Sequence, residues 1–151
     1  MKDKKKLSIE AKISNLDKVT DFVRAKLEEK GCTSGQIMQC CLAAEEIFVN
    51  IAHYAYGELD PMGNIISDSG MGQAEIIVDA DDSRITLTFI DEGTEYNPLE
   101  KDDPDIAVPI KDREIGGLGI YMVKKLMDEM NYRYEDGKNI LSVMKITQTR
   151  L

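Results

Sequence analysis

Apolar and polar side chains alternate over residues 5–13, which puts Leu7, Ile9, Ala11 and Ile13 on one face of a predicted strand. Ser14-Asn15 breaks that pattern. Leu16, Val19, Phe22, Val23 and Leu27 then recur three and four apart, the spacing of an amphipathic helix that Gly31 ends. A second, longer helix is predicted from Ser34, with Ile37, Cys40, Cys41, Ala44, Ile47, Phe48 and Ile51 on its apolar face and Gly57 at its close. Residues 58–73 are rich in glycine, aspartate and serine and read as a loop or extended hairpin. Residues 74–80 and 84–90 return to period two around an Asp81-Asp82-Ser83 turn. Residues 92–115 carry Pro98, Pro104 and Pro109 and predict a long irregular segment, a feature that in a compact domain is usually functional or mobile. A third helix is predicted over 117–130, with Ile120, Val123, Leu126, Met127 and Met130 inward. Residues 132–134 and 140–146 complete a last hairpin that turns at Asp136-Gly137.

Helices grouped against mostly antiparallel strands imply an α/β (α+β) two-layer sandwich, with a mixed, mostly antiparallel sheet and the helices on one face. A chain of 151 residues with 42% apolar and 31% charged residues suits one domain spanning 1–151. The net charge of −9 repels phosphate backbones and anionic lipid, so neither nucleic acid nor membrane is expected as a partner. No leader-like apolar run follows Met1, and no stretch approaches the ~20 apolar residues of a membrane span. Cys32, Cys40 and Cys41 do not have zinc-site spacing, and the expectation is a reduced, cytoplasmic protein.

Three stretches carry candidate chemistry. Glu46 and Asn50 are four apart on the second helix, one above the other at the margin of its apolar stripe, whereas Glu45 falls nearly opposite the core. A carboxylate beside an amide oxygen suits a hydrated Mg²⁺ and a nucleophile that must lose a proton, although the same pair also occurs on ordinary solvated faces. Asp91-Glu92-Gly93 ends an apolar strand, where a carboxylate can accept from the exocyclic amine of adenine or simply begin a turn. Gly116-Gly117-Leu118-Gly119 opens the third helix, where exposed N–H groups and the helix dipole attract an anion, and where glycines also permit close helix packing.

The order of these stretches is more specific than any one of them. Residues 43–57, Asp91-Glu92-Gly93 through Asn97-Pro98, and Gly116-Gly117-Leu118-Gly119-Ile120 with residues 126–129 resemble the GHKL ATPase superfamily, most closely its anti-sigma-factor serine kinases. The resemblance spans nearly the whole chain and implies a histidine-kinase-like ATPase fold. Glu95 departs from the second glycine many superfamily members carry after Asp-x-Gly, while Asn97-Pro98 suits the anti-sigma branch.

Carried over by position, the resemblance implies ATP and Mg²⁺ as cofactors. Asn50 would bind the metal, and Glu46 would be the general base toward a substrate serine. Asp91 would accept from the adenine amine, with Gly93 letting the ring approach. Gly116, Gly117, Leu118 and Gly119 would form the phosphate-facing end of an ATP lid running from about 99 to 117. From that lid Arg113, with Lys111 as the weaker candidate, would reach the γ-phosphate or else stay a solvated lid charge. The implied function is a serine kinase that phosphorylates an anti-anti-sigma antagonist and binds a sigma factor in a partner switch, as a homodimer. The alternative is an ATP-binding switch that sequesters a partner without kinase activity. His53, the only histidine, reads as a helix-flank packing residue.

Overall fold

The computed structural model describes residues 3–56, 58–59, 62, 65–67, 72–100 and 117–147. Strand β1 (Asp3–Glu10) leads through a short 3-10 turn into helix α1 (Leu16–Glu29). Helix α2 (Ser34–Asn50) follows and continues as one wider π-type turn, Ile51–Ala55. A small hairpin of β2 (Glu58–Leu59) and β3 (Ile65–Ser67) precedes β4 (Gln73–Ala80) and β5 (Arg84–Asp91). A 3-10 turn at Pro98–Glu100, helix α3 (Gly117–Leu126), β6 (Glu129–Glu135) and β7 (Lys138–Ile146) complete the described chain.

The main sheet has the order β1-β4-β5-β7-β6, and each of its four neighbouring pairs is antiparallel. The mixed character expected from the sequence is therefore absent from this sheet, because each neighbouring pair runs in opposite directions. The hairpin of β2 and β3 forms separately from it.

Strict alternation explains the layering. Ala74, Ile76, Val78 and Ala80 on β4, and Ile85, Leu87 and Phe89 on β5, are buried, while their neighbours are only half covered or exposed. Against this face lie Val19, Val23 and Leu27 of α1, and Cys40, Ala44, Ile47 and Phe48 of α2, in one continuous core. Burial pushes the Cys40 thiol up to about 12, so it behaves as a small apolar group.

Local chemistry fixes where the helices begin and end. Thr33 caps α2: its hydroxyl accepts from Gln36 N–H at 3.1 Å, and the Gln36 side chain accepts from Thr33 N–H at 2.9 Å. Asn15 does not cap α1 through its side chain. Its amide donates back to the Glu10 carbonyl at 2.9 Å and holds the end of β1. Helix α3 stops at Leu126, four residues short of the sequence expectation. Residues 129–135 pair with β7, which puts Met130 opposite Val143, and Lys145 donates to the Leu126 carbonyl at 3.1 Å. Met130 packs against the core from a strand rather than from a helix, since two-residue and helical spacings both bring it inward.

Candidate functional site

The end of α2 and the end of β5 meet over one cleft. It is lined by Ile47, Asn50, Ile51 and Ala55 from the helix, Phe89 and Asp91 from β5, and Tyr96 and Pro98 from the segment that follows. Tyr132, Asn139 and Leu141 close its floor from the last hairpin. The cleft holds about 380 Å³ counted to its open mouth. It is a narrow slot with apolar walls and few polar groups, the usual build of a small-molecule site.

The π-type turn positions one wall. Its backbone carbonyl at Ala55 accepts from Thr94 N–H at 3.0 Å, which ties the helix end to the loop leaving β5. A Cβ at Gly93 would collide with that same carbonyl, so the glycine is required by the close approach of the two backbones. Gly93, expected from the sequence to let a ring approach, faces the Ala55 backbone on its Cβ side. Tyr56 braces the corner, its hydroxyl accepting from Glu92 N–H and donating to the Gln73 carbonyl, both at 2.7 Å.

Asp91 is 5% exposed. Its Oδ1 accepts from Gly93 N–H at 2.9 Å and from Asn139 Nδ2 at 2.8 Å. Among the described residues no donor meets Oδ2, which leaves an acceptor for the cleft. Burial raises the carboxyl above its usual range, against the two hydrogen bonds that lower it. Asn50 lines the same cleft, and its Nδ2 is buried with no hydrogen-bond partner among the described residues. A buried amide nitrogen left unpaired is costly, so this atom is a candidate for meeting a ligand.

Glu46 lies one turn before Asn50 and beside α3. A Cβ at Gly119 would run into its carboxylate, so the start of α3 and the acid are in direct contact. Burial raises the Glu46 carboxyl, and the neighbouring Glu45 raises it further. Glu45 itself is half-buried rather than plain surface, because it also lines the groove between α1 and α2. Gly117 and Leu118 form the first residues of α3. Gly116, Arg113 and Lys111 lie outside the described residues, as does the lid over 101–116. Asn50 and Asp91 thus share one cleft, while Glu46 and Gly119 meet beside it.

Sequence reasoning missed Asn139, Tyr96 and Tyr132. Asn139 falls in phase with Leu141 and Val143 on β7, and this alternation was the available signal for an inward-facing polar residue. Tyr96 stacks on Tyr54, with ring centroids 5.3 Å apart and planes at 16°, and His53 meets Tyr54 edge-on at 6.4 Å. No spacing rule links Tyr54 to Tyr96, because the pairing depends on how the loop after β5 folds back.

A magnesium-chelated nucleotide in this cleft would draw on the Asn50 amide and the Asp91 carboxylate, which both line it. Among the described residues no group of three or more His, Cys, Asp or Glu is placed to hold a metal. A magnesium ion beside Asn50 would therefore take most of its ligands from phosphate and water, as this ion commonly does. Among the described residues, no helix is long and apolar enough to cross a membrane.

Comparisons with known proteins bear on the family and the fold. The family model described as the histidine kinase-like ATPase domain matches residues 9–145. Proteins named serine-protein kinase RsbW are similar in sequence: 25% identical over 114 residues in Bacillus thuringiensis strain Al Hakam, and 24% over 110 residues in Bacillus cereus strain G9842. In both cases the match covers 73% of this chain and 64% of the relative, so the chain spans under two thirds of the length of these relatives. The crystal structure of the RsbU and RsbW domains of a Mycobacterium tuberculosis protein shares the fold, with a TM-score of 0.56 and 18% identity over 96% of this chain and 33% of that one.

Proposed function

The chain belongs to the histidine kinase-like ATPase family, and from that premise we propose that it is a Mg-ATP-dependent protein-serine kinase that acts as an anti-sigma regulatory factor. The observation that carries this reading is the shared cleft of Asn50 and Asp91, where the Asn50 amide nitrogen is buried with no hydrogen-bond partner among the described residues and the Asp91 carboxylate is held through Oδ1. The likeness to proteins named serine-protein kinase supports the kinase part of it.

In this reading Asp91 accepts a hydrogen bond from the adenine amine through Oδ2, and the apolar walls around Ile51, Phe89 and Leu141 cover the ring. Asn50 would hold the magnesium through its amide oxygen. The N–H groups at the start of α3 would meet phosphate oxygens, and Gly116 and Arg113 would assist from the lid. Bound Mg-ATP supplies the transferable phosphoryl group. Glu46 takes the proton of the incoming serine hydroxyl, and its raised carboxyl makes it a stronger base than an ordinary surface glutamate. The serine belongs to an anti-anti-sigma antagonist protein, a sigma factor is the competing partner, and the working form is a homodimer in the cytoplasm.

Labelled ATP incubated with this chain and a small anti-anti-sigma domain tests the reading. Label should appear on a serine of that domain and vanish with Glu46→Gln, while nucleotide binding persists. Binding without transfer, unchanged by Glu46→Gln, would favour the second reading: a nucleotide-dependent switch that sequesters its partner.

A further inference from the structure

Asn139 stands directly opposite Asp91 in the register of β5 and β7, and it is 5% exposed. Its carboxamide is satisfied on both sides. Oδ1 accepts from Tyr96 N–H at 3.1 Å and from the Tyr132 hydroxyl. Nδ2 donates to the Thr94 carbonyl at 3.0 Å, to Asp91 Oδ1 at 2.8 Å and, at a longer 3.5 Å, to the Gly93 carbonyl.

This arrangement removes the usual ambiguity in amide orientation. A backbone N–H can only donate and a backbone carbonyl can only accept. Tyr96 N–H must therefore face Oδ1, and the Thr94 carbonyl must face Nδ2. The side chain cannot flip without breaking contacts on both sides, so Asp91 Oδ1 always meets a donor. With Gly93 N–H on the same oxygen, Oδ1 is engaged by two protein donors, while Oδ2 meets no donor among the described residues of a carboxylate that lines the cleft.

We propose that Asn139 is a positioning residue that sets purine selectivity, by fixing Asp91 as an acceptor toward the cleft so that a 6-amino purine is taken and a 6-oxo purine refused. The inference rests on the ATP-binding reading above and assigns the selectivity of that site to a residue that acts through Asp91. An ionised Oδ2 attracts the N–H of a 6-amino group and repels the oxygen of a 6-oxo group. Without the Asn139 donor the buried carboxyl is held by Gly93 N–H alone. It is then free to turn and to take a proton, and a protonated carboxyl accepts either purine.

The test is the affinity of the unaltered chain, Asn139→Leu and Asn139→Ala for Mg-ATP and for magnesium inosine triphosphate. Leu matches the size of the side chain, and Ala leaves room for water should Leu fail to fold. The unaltered chain should prefer ATP, and the variants should lose about 10-fold or more of that preference, the scale of one hydrogen bond to a charged group. A purely structural role would weaken both nucleotides by the same factor, and that result overturns the proposal while leaving ATP binding intact. No ATP binding by the unaltered chain would overturn the functional reading and this inference with it.

Discussion

The carboxylate of Glu46 lies so close to the α-carbon of Gly119 that α2 and α3 meet there with no room for a methyl group. The atom in the way is the far end of a flexible side chain, so the fold can yield while the acid cannot stay where it is. Gly119→Ala should therefore keep or raise stability, since alanine in a helix gains roughly 0.5–1 kcal/mol over glycine. Phosphotransfer should fall at the same time. Denaturant midpoints beside single-turnover transfer rates check this, and a loss of stability with unchanged transfer would count against it.

Gly93→Ala should behave in the opposite way. Its neighbour is the Ala55 backbone, which cannot swing aside, and Thr94 N–H depends on the same carbonyl. Overpacking there should cost about 1–3 kcal/mol, read as a lowered urea midpoint with unchanged slope. A midpoint equal to that of the unaltered chain would refute the tight approach.

Asp91→Asn keeps an oxygen for both protein donors and turns the group facing the cleft from acceptor to donor. Burial raises the Asp91 carboxyl in the folded chain above its unfolded value, so the folded state holds this proton more tightly. The group therefore favours folding below the ordinary carboxylate range and loses that contribution as pH rises through the raised value. The variant has no such charge to bury. Its stability relative to the unaltered chain should improve as pH is raised from about 4 toward neutrality. A stability difference that stays flat across that range would contradict the direction of the shift.

Much of this was legible in the sequence because it depends on local periodicity. The stripe on α2 fixed the place of Glu46 and Asn50, and the end of an alternating run marked Asp91. Periodicity failed at Met130, which both spacings bring inward, and only pairing with Val143 decides between them. It also failed at Asn139 and Tyr96, whose roles arise from contacts 43 to 48 residues apart in sequence. The π-type turn at Ile51–Ala55 has no sequence signal of its own. It follows from docking the helix end onto the loop after β5.

The central claim is that the cleft between Asn50 and Asp91 takes the adenine end of Mg-ATP. Calorimetric titration of the unaltered chain and of Asp91→Asn with Mg-ATP addresses it most directly. Saturable binding at one site per chain, weakened about 10- to 100-fold in the variant with its fold intact, is the predicted result. Absent binding, or equal affinity in the two proteins, would contradict it.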